Sequence, residues 1–371
     1  MHIVEFAAGT LRFLDRLPAR APPHGFIWIY LEREALGTEG AMLQRAAHSL
    51  GGSAVLDLHM QDLSNRSHPS HYDYTSIYDL VIFRRLASEA EVRAEVHEEG
   101  QGATAEPASQ ALAAFSRIRT RAVGFVVFDR LLISVHPAGC YAASSFVERF
   151  LADAVQSEGL TAAARSRLPA GPADLMLRML NMMVDSYLEL RKQLSTELDR
   201  WQQQLLAPRS RGADWSALMA ARTALHTLED LCDGQRDAMQ EWLDTQQEQP
   251  SSGLSQAERD GLMARGRDVI EHIDRVVHHV RRMEQGAETA VQIHFSALGH
   301  RTNETMRALT ALTAVFLPLN LITGFFGMNF EFLPLIHSDA AMWVILALML
   351  VVAAIIFFVF WRKRYLARGG R

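Results

Sequence analysis

The stretch ITGFFGMNFEFLPL, Ile322 to Leu335, breaks the most hydrophobic part of a 371-residue chain with two glycines, an asparagine and a carboxylate. Before it, Ala308 to Phe326 runs 19 residues without a charge, and after it Ala340 to Trp361 runs 22 more. About 20 residues of helix cross a bilayer core, so each segment is long enough to span. Only the 13 residues from Gly327 to Asp339 separate them, which predicts a helical hairpin with both outer ends on the same side. The sequence after the second span, WRKRYLARGGR, carries Arg362, Lys363, Arg364, Arg368 and Arg371, whereas the link has no Lys or Arg. Basic residues stay on the cytoplasmic side, so both termini are expected inside and the link outside. Trp343 and Trp361 suit the two interfaces.

The two spans differ in character. The second is apolar all round. In and before the first, Asn303, Met306, Thr310, Thr313, Leu317, Asn320 and Gly324 follow one another in steps of three and four. Such steps keep a series on one helix face. Two readings fit this face. Small and polar residues join helices in lipid, or the face lines a water-filled path that several copies must enclose, since one hairpin cannot. Pro318 lies within the span, where its missing N–H frees a carbonyl and allows a bend.

Upstream, Val269, Val276, Met283 and Ala290 recur every seven residues, with Ile273, Val280 and Ala287 offset by four. This seam leads straight into the first span and predicts a stalk helix. Two further helical stretches, Ala173 to Leu206 and Ala213 to Gln249, are divided by the turn signal APRSRG. Gly25–Leu31, Asp79–Arg85, Ala122–Phe128 and Leu131–His136 read as strands, with Asp129-Arg130 as a tight turn. Helical patterns fall at Thr38–Leu50 and Ser144–Gln156, and the acidic, alanine-rich Glu89–Ala108 reads as a solvated insertion. The expected organisation is an α+β cytoplasmic domain with a mixed sheet (1–170), antiparallel helices (171–254) and a stalk helix (255–305). A first transmembrane helix (306–326), an external loop (327–339), a second transmembrane helix (340–361) and a basic cytoplasmic tail (362–371) complete it.

Several functions are disfavoured. A net charge of −5 argues against a general nucleic-acid binder. Cys140 and Cys232 are in no metal spacing and read as reduced structural thiols. The chain has no phosphate-cradling glycine loop, nucleophile elbow or HExxH, so no enzyme chemistry is expected. His68, His71 and Asp73, in SHPSHYD, read as a polar loop, and His272, His278, His279 and His294 as the solvated face of the stalk.

The triplet Gly327-Met328-Asn329, placed after the penultimate span and before a short acidic link, resembles the CorA superfamily of divalent-cation channels. So do the whole segment Asn303 to Pro334 and the basic C-terminus. The resemblance implies a homopentamer in the inner membrane, multi-pass, in which five first spans surround the pore. It makes Gly327, Met328, Asn329 and Glu331 the outer mouth, Asn320 and Thr313 neutral oxygen contacts within, Leu317 and Met306 apolar constrictions, and Asn303 the inner mouth. Thr310 and Gly324 complete the lining. The cargo would be Mg²⁺, with Co²⁺ and Ni²⁺ as companions, and no cofactor would be permanently bound. In the family, cytoplasmic carboxylates between subunits sense Mg²⁺; the resemblance places Glu271 at such a position, with Asp79 of a neighbouring subunit as its partner. Gln292, Phe326 and Leu335 stand where the family often has an acid, a tyrosine and an acid, which leaves a ZntB-like Zn²⁺ transporter, proton-coupled or not, as the alternative. A third reading is a membrane-anchored scaffold that conducts nothing.

Overall fold

A computed structural model describes residues 1–7, 10–88, 91–92, 114–115, 118–139, 148, 168–206, 215–249, 254–328 and 339–362. They form two compact units, Met1–Glu288 and Thr289–Arg371.

The first unit holds a mixed sheet. Among the described residues its strands are β1 (His2–Ala7), β2 (Thr10–Leu14), β3 (Gly25–Glu32), β4 (His71–Tyr74), β5 (Asp79–Leu86), β6 (Thr120–Val127) and β7 (Leu131–His136). Their order is β2-β1-β3-β7-β6-β5-β4. Only the β3–β7 pair is parallel; the other neighbours are antiparallel. The central strands are near-continuous apolar runs because the sheet is covered on both faces. Ile27, Ile29, Ile82 and Ile133 pack with Leu36 and Leu43 of α1 (Leu36–Ala46) and Leu63 of α2 (Asp57–Ser64). The alternating residues Phe26, Trp28, Phe83 and Phe125 are equally buried. The β6–β7 turn closes where expected, with the Phe128 N–H donating to the Leu131 carbonyl at 2.8 Å.

The four strands expected from sequence are present; β1, β2 and β4 were not expected. The residues His71 and Asp73, read as loop, lie in the edge strand β4. This polar tetrapeptide is extended because it pairs with β5, a non-local cause that its own composition does not reveal. All but Glu148 of the helix expected at Ser144–Gln156, and most of the Glu89–Ala108 insertion, lie outside the described residues.

Three long helices follow in this unit: α3 (Pro172–Leu206), α4 (Trp215–Glu248) and α5 (Gln256–Phe326), whose residues are divided between the two units. Pro172 opens α3, where a missing N–H costs nothing. A capping box opens α5: Glu258 accepts the Ser255 N–H at 2.9 Å, and Ser255 Oγ accepts the Glu258 N–H at 3.3 Å. Every residue of the predicted seam, Val269, Ile273, Val276, Val280, Met283, Ala287 and Ala290, is buried. Gly266 admits close contact with α4, since a Cβ there would lie 2.7 Å from Leu243 Cδ2. Two stalk histidines are not on a solvated face. His272 faces Asp185 of α3 at 3.2 Å and His279 meets Ser195 Oγ at 3.0 Å, because both flank the seam.

A buried polar set lies beneath the sheet. The Trp28 indole donates to Ser134 Oγ at 2.8 Å, and His136 Nε2 is hydrogen-bonded to the same oxygen at 2.8 Å. Burial, with Arg85 and Arg33 adding, lowers His136 to about 3. A folded-state value below the unfolded one means that the unfolded chain binds the proton first. The stabilisation is therefore complete above about 6.5 and is lost as pH falls towards 3. Between pH 6.5 and 5 the loss amounts to roughly 2 kcal/mol. Thermal unfolding of the detergent-solubilised protein is expected to show this slope, and His136→Gln to flatten it over that interval.

The second unit contains the remainder of α5 and α6 (Asp339–Arg362). Among the described residues α5 is the helix long and apolar enough to cross a membrane. Within α6 the shorter run Trp343–Val359 is apolar, and the helix itself is 24 residues long. Leu317, Leu321, Trp343 and Leu350 are each more than 60% exposed, a surface that water does not favour.

Candidate functional site

The predicted stripe lies on one continuous helix. Asn303, Met306, Thr310, Thr313, Leu317, Asn320 and Gly324 are all in α5, and all are exposed. The threonines have a specific geometry. Thr310 Oγ donates to the Met306 carbonyl at 2.7 Å and Thr313 Oγ to the Leu309 carbonyl at 2.9 Å. Each hydroxyl proton is thereby used within the helix, and the oxygen lone pairs remain for a donor outside it, such as a water in a cation's hydration shell. Pro318 sits between Leu317 and Asn320, and its missing N–H leaves the Ala314 carbonyl without its usual helical donor.

The helix ends at Phe326. The Gly327 N–H donates to the Thr323 carbonyl at 2.9 Å, and a Cβ at Gly327 would lie 2.9 Å from that same oxygen. The glycine therefore serves by its lack of a side chain against the last turn. Met328 is exposed, and its N–H reaches the Phe325 carbonyl at 3.4 Å. Asn329 and Glu331 lie outside the described residues.

The two carboxylates expected to sense Mg²⁺ occupy different settings. Glu271 is exposed on α5 and ion-paired with Arg275 at 2.5 Å, which holds it below the usual carboxylate range. Asp79, the first residue of β5, is held by the Tyr72 hydroxyl at 3.3 Å and the Gln246 amide of α4 at 2.9 Å. Burial raises it to about 6; the Tyr72 and Gln246 hydrogen bonds oppose the rise, and the negative charge of Asp129 adds to it. Asp79 lines a cavity of about 530 Å³ whose last wall is Leu254 and the first turns of α5 from Glu258 to Arg265, so Glu271 of the same chain is not part of it. Sequence reasoning missed this cavity. Its walls come from five separate segments, and no local pattern joins them. Among the described residues no group of three His, Cys, Asp or Glu is placed to hold a metal ion.

Comparison with known proteins places this geometry in a family. The model described as "CorA-like Mg2+ transporter protein" matches residues 57–364, from α2 through the stripe and both apolar helices. A cobalt/magnesium transport protein CorA of Thermotoga maritima is 33% identical over 100 residues, which are 27% of this chain and 28% of that protein. That of Methanocaldococcus jannaschii is 36% identical over 66 residues, 18% of this chain and 21% of that protein. The chain thus aligns with only about a quarter of the length of the curated relatives it matches. The fold agrees over a wider span. The complete structure of a CorA magnesium transporter from Methanocaldococcus jannaschii superposes with a TM-score of 0.70 at 18% identity, covering 100% of this chain and 98% of that one. The structure of the full-length CmaX protein gives 0.67 at 16% identity, covering 98% and 97%. Such identities bear on fold alone; the family model, which spans most of the chain, bears on membership. The chain belongs to the CorA-like Mg²⁺ transporter family.

Proposed function

We propose that the protein is an inner-membrane divalent-cation channel that admits Mg²⁺ down the membrane potential. It would act as a homo-oligomer, a pentamer by the family resemblance, in which α5 lines the pore and α6 faces lipid. The two helices form a hairpin, with the link outside and both termini in the cytoplasm. The observation that carries the reading is the stripe of Asn, Thr and apolar residues, exposed along one face of a family-matched helix whose other faces suit lipid. Lipid covers Leu309, Leu312, Phe316 and Leu321, but amides and hydroxyls need water or one another.

The chemistry of the stripe favours Mg²⁺ over Zn²⁺. Mg²⁺ releases its waters reluctantly and prefers oxygen, and the stripe offers amide and hydroxyl oxygens without Cys or His. It holds no carboxylate to trap a doubly charged ion. Entry needs no nucleotide, since a divalent ion gains about 4.6 kcal/mol per 100 mV. Leu317, two-thirds exposed in the single chain, would form a ring that closes by dewetting. Leu317→Ala is expected to raise resting Mg²⁺ leak severalfold in proteoliposomes, read with an entrapped Mg²⁺ dye; an unchanged leak would remove Leu317 from the constriction.

The deciding experiment reconstitutes the purified protein in liposomes. It compares Mg²⁺ and Zn²⁺ uptake with and without an inside-negative potential and a proton gradient. Potential-driven Mg²⁺ uptake supports the proposal. Zn²⁺ uptake that requires the proton gradient overturns it in favour of a ZntB-like transporter, and uptake of neither ion in favour of a non-conducting scaffold.

A further inference from the structure

The turns of α5 from Val291 to Thr305 carry apolar side chains in a setting that suits neither water nor lipid. They lie wholly within the unit Thr289–Arg371. Phe295 is 61% exposed, Ile293 46% and Leu298 40%. Large apolar side chains left open to water mark a surface made to be covered. Lipid is not the cover. The charge-free run begins only at Ala308, and Arg301, Glu304 and Arg307 come before it, which hydrocarbon does not accept.

These side chains sort onto two flanks. Val291, Phe295, Leu298 and Thr302 follow one another in steps of four and three along one side, and Ile293, Ser296 and His300 along another. At about 100° per residue the two sides are about 160° apart, and Asn303 of the polar stripe falls between them. The first flank is the bulkier, with Phe295 and Leu298. It can be covered without orphaning a donor, since Thr302 Oγ donates to the Leu298 carbonyl at 3.0 Å. The second is shallower, with the small Ser296 between Ile293 and His300.

The surroundings decide what fits there. A cover for these turns must pass from water to lipid at the same height as α5 does, and it must leave Asn303 open to water. A second copy of α5, parallel and in register, meets both conditions. A two-fold pair would cover one flank and leave the other bare. A head-to-tail contact, bulky flank on shallow flank, covers both in every copy once the ring closes.

We infer that the Phe295–Leu298 flank of each copy packs against the Ile293–His300 flank of the next, so that these turns close a ring beside the span with Asn303 turned to its lumen. The inference rests on the homo-oligomer of the proposed function; it adds which surfaces meet, and that the two are unlike.

The test is cross-linking of the full-length protein in detergent, in a Cys140→Ser, Cys232→Ala background whose mass is first measured by light scattering. Ile293→Cys and Phe295→Cys are introduced singly and together, and treated with a short bis-maleimide. The double variant is expected to lose most of its monomer band to a ladder of covalent multimers on a denaturing gel. Each single variant is expected to stay monomeric there, because its thiol faces a residue of another type. Leu298→Cys with His300→Cys, one turn further on, is expected to repeat the pattern and guards against a first pair that assembles poorly. No ladder from either pair in assembled protein would overturn the inference. So would covalent dimers from Phe295→Cys or Leu298→Cys alone, the mark of like flanks in a two-fold contact. Both results would leave the channel reading standing. A monomeric mass before any cross-linking would overturn the inference together with the homo-oligomer itself.

Discussion

Asn329→Ala is expected to lower Mg²⁺ uptake into proteoliposomes by at least about tenfold while the oligomer stays assembled. In the proposed channel its amide, next after Gly327 and Met328 in the sequence, would meet the hydrated cation at the outer mouth. Hydration-shell waters of a divalent ion are strong donors, and each hydrogen bond to a charged species contributes about 1.5–3 kcal/mol. In the proposed homo-oligomer the copies would lose the contact together, so a small loss per subunit would become a large one for the mouth. Size-exclusion chromatography should report an unchanged assembly. Uptake at the wild-type rate with intact assembly would sink the channel reading as a whole, since a scaffold has no use for that amide.

Ile273→Ala is expected to destabilise the unit Met1–Glu288 by about 2–5 kcal/mol, the range for truncating a fully buried branched side chain. Ile273 has no exposed surface and sits mid-seam, with Val269 and Val276 buried on either side along the helix. The lost methyls leave a cavity that long packed helices cannot easily close. Glu271→Ala, two residues earlier, is the control. Its ion pair with Arg275 is solvent-exposed and screened, so the unfolding midpoint should stay where it is. Thermal unfolding of both variants in one detergent separates the cases. Equal midpoints would mean that the seam is not what holds α5 to the unit.

The comparison between these two residues illustrates what was legible in the chain. Heptad spacing is a local property that burial then obeys, so all seven seam positions were found from the sequence, as were the boundaries of α3, α4 and α5 to within about two residues. The apolar runs at Gly25, Asp79, Ala122 and Leu131 announced the central strands for the same reason: a strand buried on both faces carries its signal in its own composition. The polar stripe of α5 was equally plain, because a helix turns steps of three and four into a face whatever surrounds it.

The edge strands and the cavity beside Asp79 were not legible. β4, with the sequence HYDY, is a strand only because Asp79–Ile82 lie beside it, and β2 is one because β1 folds back on it. His272 and His279 flank the seam closely enough to meet Asp185 and Ser195 of α3, a contact set by packing rather than by period. The Asp79 cavity is the clearest case. Asp79 reads in sequence as the start of a strand and, by the resemblance alone, as a partner of Glu271, yet the cavity beside it is walled by the sheet, α3, α4 and α5 from positions up to 186 residues away at Arg265. Sequence alone determined which segments are helical, which are apolar and which face of α5 is polar, since those follow from backbone periodicity. Only the tertiary structure decided which carboxylates are paired and which are not, because charge partners are chosen by three-dimensional distance and no period along the chain encodes it.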